Sequence, residues 1–186
     1  MTRTVNARIA GVAYLLYFAA GIAAMALRGR PHAPDLLALL TSFAALALGV
    51  TLYAITRDQD PDIALLGLTC RVIEAIPGQE GVIFFAVATL LFSWLMLRGR
   101  MIPLPLAWLG VVASSLLVIL LPLQKAGLFG GTMSWSSPIT WVVYLPAAVF
   151  ELALAAWFLT KGVAAPSAPI PNSTPASSLQ PSGPDA

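Results

Sequence analysis

Three charged side chains lie within stretches that are otherwise apolar: Arg71 and Glu74 in Gly67-Leu68-Thr69-Cys70-Arg71-Val72-Ile73-Glu74-Ala75-Ile76, and Glu151 in Phe150-Glu151-Leu152. Arg71 and Glu74 are three residues apart, so on a helix they share one face. An ionised group at bilayer depth costs on the order of 2.5–3.5 kcal/mol on insertion scales, so each demands a partner or water. Counted from Pro77 at the helical rise, Glu74 lies about 4–5 Å inside and Arg71 about 9 Å. Glu74 is therefore expected near the outer interface, whereas Arg71 can snorkel along its aliphatic stem and is also the charge able to reach inward, toward Glu151. Glu151 lies about 18 Å into its own stretch, near the bilayer centre. Pro146 precedes it and removes a backbone donor, which predicts a kink there. Two readings of these charges stand: an Arg–Glu clamp between helices, and a proton, ion or substrate relay. An acid–base pair of Glu74 and Glu151 for enzymatic work lacks any neighbouring nucleophile or metal.

Other chemistry finds little support. The only histidine, His32, stands in a Pro-flanked loop without the converging ligands a metal needs. GxxxxGK[ST], HExxH and GxSxG are all absent, so no catalytic, cofactor-binding or metal-ligating residue is expected. Asp58, Asp60 and Asp62 cluster without the glycine and distal glutamate of a calcium loop. Asp60 instead suits a helix N-cap, Pro61 the first helical position, and Asp62 the first turn, where negative charge meets the helix dipole. The lone Cys70 excludes an intramolecular disulfide.

The elements that hold these residues are set by composition. Of the 186 residues, 59% are hydrophobic and 10% charged, against roughly 25% charged in a soluble domain. Mean hydropathy is +0.86. The net charge of +2 comes from basic residues scattered between apolar blocks, which makes no nucleic-acid patch. About 20 apolar residues cross a bilayer. The expected fold class is an all-α, polytopic transmembrane bundle of about six spans, near 9–27, 36–56, 63–76, 81–97, 104–123 and 139–160. The first apolar run is longer than a signal-peptide core of roughly 7–15 residues, so it reads as a span. The lipid bilayer is thus the one partner the residues name.

Loop charge orients the bundle. With the N-terminus inside, the cytoplasmic loops hold Arg3, Arg8, Arg57, Arg98, Arg100 and Lys161, and the opposite side Arg28, Arg30 and Lys125. That excess favours N-in and C-in. Trp94, Trp108, Trp141 and Trp157 fall near span ends, where amphipathic rings settle at headgroup level. Ala19 with Ala23, Ala20 with Ala24, and Ala45 with Gly49 have the small-xxx-small spacing of close helix contacts. Leu27-Arg28-Gly29-Arg30 and Leu97-Arg98-Gly99-Arg100 match, but nothing else aligns to make an inverted transporter repeat. Residues 163–186, rich in Pro, Ser and Ala with a single charge, are expected to be a disordered tail.

Several of these motifs together resemble a known family. Ala7-Arg8-Ile9-Ala10-Gly11-Val12-Ala13-Tyr14-Leu15-Leu16-Tyr17 is similar to the opening of the bacterial membrane family called domain of unknown function 4386. Ile63-Ala64-Leu65-Leu66 followed by Arg71-Val72-Ile73-Glu74-Ala75 resembles its charged central signature. Trp108-Leu109-Gly110-Val111 and Phe150-Glu151-Leu152-Ala153-Leu154-Ala155-Ala156-Trp157 resemble later ones, so the resemblance runs from Ala7 to Val163. It implies a multi-helix integral membrane protein, placed in a bacterial cytoplasmic membrane, and transfers no activity. The expectation is a membrane protein without enzymatic function that works through membrane or protein partners. The alternative is a small transporter or proton-linked carrier using Glu151 and Arg71.

Overall fold

The apolar stretches become six α-helices in the computed structural model, which describes residues 2–27, 29–76, 81–128 and 138–164. They are α1 (Arg3–Ala26), α2 (Ala33–Thr56), α3 (Pro61–Glu74), α4 (Gly81–Arg98), α5 (Leu104–Lys125) and α6 (Pro138–Thr160), with no strand among the described residues. Helix α1 begins ahead of its apolar run because Thr2 caps it, its side chain accepting from the Val5 N–H at 3.3 Å. Helix α3 starts as its residue types predict. The Asp60 carboxylate accepts from the Ile63 N–H at 3.1 Å, Pro61 opens the helix, and Asp62 sits in the first turn. His32 is a loop residue at φ 65, ahead of α2.

Five helices are long and apolar enough to cross a membrane: α1, α2, α4, α5 and α6. Helix α3 is not among them. Its 14 residues rise about 21 Å, short of a hydrocarbon layer of about 30 Å. The shortfall is local. Pro61 fixes where α3 begins, and α4 returns so closely that a Cβ on Gly81 would lie 3.1 Å from the Glu74 carbonyl oxygen. Helices α3 and α4 therefore form a short hairpin beside four longer helices.

Each helix packs against its neighbours in the chain, and α6 returns to α1, so the six close into a ring in chain order. One end of the ring is marked by its contacts. Arg3 pairs with Asp58, Arg98 approaches Asp60 at 3.7 Å, and the Ala164 N–H donates to the Met101 carbonyl at 3.1 Å. The start of α1, the α2–α3 and α4–α5 connections and the end of α6 thus meet there, with Arg57, Arg100 and Lys161 in the same segments. We call this the basic end. Val163, expected in the tail, packs against the core; from residue 165 onward the tail lies outside the described residues. Arg28, Pro77 and Gly78, and the 129–137 connection also lie outside them.

The outward faces suit lipid. Leu36, Phe43 and Val142 are each about two-thirds exposed, and Trp94, Trp108 and Trp141 stand about half exposed near helix ends. In soluble surroundings such a surface would aggregate; in a bilayer it is the solvent-matched face. The inner faces carry Tyr14, Leu48, Leu52, Phe92, Phe150 and Phe158, all fully buried. Close approach there depends on missing side chains. A Cβ on Gly110 of α5 would lie 2.5 Å from the Phe150 ring of α6 and 2.6 Å from the Ser93 hydroxyl of α4.

Candidate functional site: a buried charge cluster

Arg71 lies inside the ring, and its side chain is fully buried. Its stem lies against α2, where a Cβ on Gly49 would come within 2.8 Å of Arg71 Cβ. The small-xxx-small pair Ala45 and Gly49 therefore makes room for a cation. Within α3, Arg71 Nη1 donates to Glu74 at 2.9 Å (Oε2) and 3.3 Å (Oε1). Toward α4, Nη2 donates to the Thr89 hydroxyl at 3.0 Å, and the guanidinium carbon stands 5.1 Å from the Phe85 ring centroid. Toward α6, Nη2 approaches Glu151 Oε1 at 3.7 Å.

Helix α1 completes the shell. The Tyr17 hydroxyl donates to Glu74 Oε1 at 2.8 Å, and its ring stacks on Phe85 with centroids 6.2 Å apart. Tyr14, one turn earlier, is fully buried on the same face and counts Arg71, Glu74 and Glu151 among its electrostatic neighbours. One arginine thus touches or faces groups from α1, α2, α3, α4 and α6.

The three charges singled out in the sequence come together around Arg71. The Glu74 side chain is 5% exposed, and Tyr17 and Arg71 supply the donors that water would otherwise give. Arg71 reaches inward, to Glu74, Thr89 and Glu151. Thr89 lies about 12 Å from the start of α4 at the helical rise, near the level estimated for Arg71. Pro146 lies within α6, which continues as helix from Pro138 to Thr160.

The cluster is electrostatically uneven. Two carboxylates face one guanidinium. Glu74 takes the close, multiply bonded pairing, whereas Glu151 Oε1, 2% exposed as a side chain, has no hydrogen-bond partner among the described residues. Arg71 Nε and Ser93 Oγ share that condition. Tyr17, Thr89 and Phe85 had not been picked out from the sequence. Their signals are present: Tyr14 and Tyr17 set two hydroxyls on one face of α1, and Thr89 and Ser93 do the same on α4.

Half of this cluster lies in a segment with known counterparts. Residues 79–162 match the family model described as Domain of unknown function (DUF4386). Over these residues the chain is similar to that family. The DUF4386 match takes in Phe85, Thr89, Pro146 and Glu151, and the motifs at Trp108 and Phe150. The resemblances noted at Ala7–Tyr17, Ile63–Leu66 and Arg71–Ala75 fall before it, so α1 to α3, with Tyr17, Arg71 and Glu74, lie outside the matched segment. No curated protein and no solved structure matches the chain.

Proposed function

We propose that this is a non-enzymatic integral protein of a bacterial cytoplasmic membrane, with both described ends on the cytoplasmic side, acting through lipid or protein partners. Its charge cluster is a structural clamp. The observation that carries this reading is the fully buried Arg71 side chain, which bonds Glu74 and Thr89 and faces Glu151 and the α1 tyrosines. A buried pair stabilises only when its remaining donors and acceptors are met, and removing one member leaves an uncompensated charge. Glu74 meets that condition through Arg71 and Tyr17, and Arg71 meets it at both terminal nitrogens, with Nε the exception among the described residues. The N-in and C-in orientation is supported by the arginines and lysine gathered at the basic end.

A second reading, a proton-linked carrier, is favoured by one specific observation. Glu151 Oε1 has no hydrogen-bond partner among the described residues, and the second carboxylate exceeds the cluster's positive charge, which suits a group that exchanges a proton. Glu151→Gln separates the two. The clamp predicts a lower unfolding midpoint, and proteoliposomes of the wild type that pass no more protons than empty vesicles. The carrier predicts a variant as stable as the wild type, and a wild-type proton flux that the variant loses; that outcome would overturn the clamp.

A further inference from the structure

At the basic end, two adjoining grooves of about 400 and 410 Å³ open between the end of α4, the start of α5 and the end of α6. They share Arg100 and Ile102; Lys161 and Trp157 line the second. Three other cations at this end are engaged: Arg3 pairs with Asp58, Arg57 lies 3.9 Å from Asp58, and Arg98 approaches Asp60. Arg100 and Lys161 form no ion pair among the described residues.

The backbone at Arg100 makes its identity telling. Helix α4 ends in a tight reverse turn, with the Arg100 N–H donating to the Leu97 carbonyl at 3.1 Å and the Met101 N–H to the Met96 carbonyl at 3.0 Å. That turn places its next-to-last residue in the left-handed region, where glycine is favoured. Here the residue is Arg100, at φ 48. Gly99, immediately before it, is spent on packing: a Cβ there would lie 2.9 Å from the Gln59 side chain. The left-handed position thus carries a strained arginine whose side chain lines the groove. Across it, Pro103 gives α5 no side-chain cap, so the helix start adds a partial positive charge.

We propose that this groove binds the headgroup of an anionic phospholipid, with Arg100 and Lys161 holding the phosphodiester and Trp157 marking the interfacial level. The occupant is a lipid because the groove lies where five candidate membrane spans end, and basic pockets between such helices suit acidic headgroups. Near a membrane surface each basic residue contributes enough for about a fivefold change in affinity.

The test uses the full chain in nanodiscs of phosphatidylcholine alone and of phosphatidylcholine with phosphatidylglycerol. Bound lipid is counted by native mass spectrometry, and unfolding followed by tryptophan fluorescence. Phosphatidylglycerol should raise the wild-type unfolding midpoint. Arg100→Gly and Lys161→Gln should each retain phosphatidylglycerol about fivefold less well and lose most of that rise. In phosphatidylcholine alone, Arg100→Gly should be at least as stable as the wild type, since glycine relieves the left-handed strain. Equal retention and equal stabilisation in both variants would overturn the proposal. So would inorganic phosphate stabilising the wild type in phosphatidylcholine as much as phosphatidylglycerol does, because the site would then take a free anion.

Discussion

Glu74 is held by two different kinds of donor, the Arg71 guanidinium at 2.9 Å and the Tyr17 hydroxyl at 2.8 Å. Both donate to the same carboxylate, one from within α3 and one from α1. Removing the hydroxyl leaves a buried carboxylate oxygen short of a donor, and hydrogen bonds to charged groups contribute about 1.5–3 kcal/mol. Tyr17→Phe should therefore lower stability by about that amount in denaturant titrations of the micelle-solubilised protein. A change below about 0.5 kcal/mol, within the range of ordinary surface substitutions, would mean that Arg71 alone satisfies Glu74. Thr89 shows why such partners are hard to read from residue types. Thr41, Thr51, Thr56, Thr69, Ser114 and Thr160 each turn their hydroxyl back onto their own helix, three or four residues earlier. That is the default for a hydroxyl in a helix, and Thr89 differs by accepting from Arg71.

At the level of elements, the helices were legible and their meeting was not. Apolar length and the Asp60-Pro61-Asp62 start signal locate the elements because each depends on local chemistry. The three-residue spacing of Arg71 and Glu74 was legible for the same reason. That Arg71 reaches Glu151 depends on α6 closing against α1, which no local pattern encodes. The apolar run 63–76 and the helix Pro61–Glu74 are both 14 residues long, and the helix sits two residues earlier because the Asp60 cap and Pro61 set its start. Gly49 was legible as a contact residue but not as the seat of an arginine. Its replacement is informative: in Gly49→Ala the new methyl would meet Arg71 Cβ at 2.8 Å, and a β-carbon cannot swing aside. Overpacking of this kind costs about 1–3 kcal/mol. The unfolding midpoint of Gly49→Ala should fall accordingly, whereas Gly21→Ala, with open space around it, should not destabilise the protein. Equal effects at both positions would remove the close α2–α3 approach from the account.

For the whole molecule, six helices packed in a ring with an apolar exterior leave little hydrophobic drive between helices once lipid surrounds them, so packing and interior polar contacts decide cohesion. Arg71 touches or faces five of the six helices, which makes it the group whose loss is felt most widely. Cutting it to alanine would strand Glu74 and Glu151 as uncompensated carboxylates, a loss of about 3–5 kcal/mol. Replacing the charges together removes that penalty, because an apolar or neutral set of similar volume is often no less stable than the pair. The most direct measurement compares the unfolding free energy of the wild type, Arg71→Ala, and the triple variant Arg71→Met, Glu74→Gln, Glu151→Gln in one lipid composition. The clamp predicts that Arg71→Ala falls by about 3–5 kcal/mol or fails to fold, and that the triple variant recovers most of the loss. An Arg71→Ala protein within about 1 kcal/mol of the wild type, or a triple variant no better than Arg71→Ala, would contradict it.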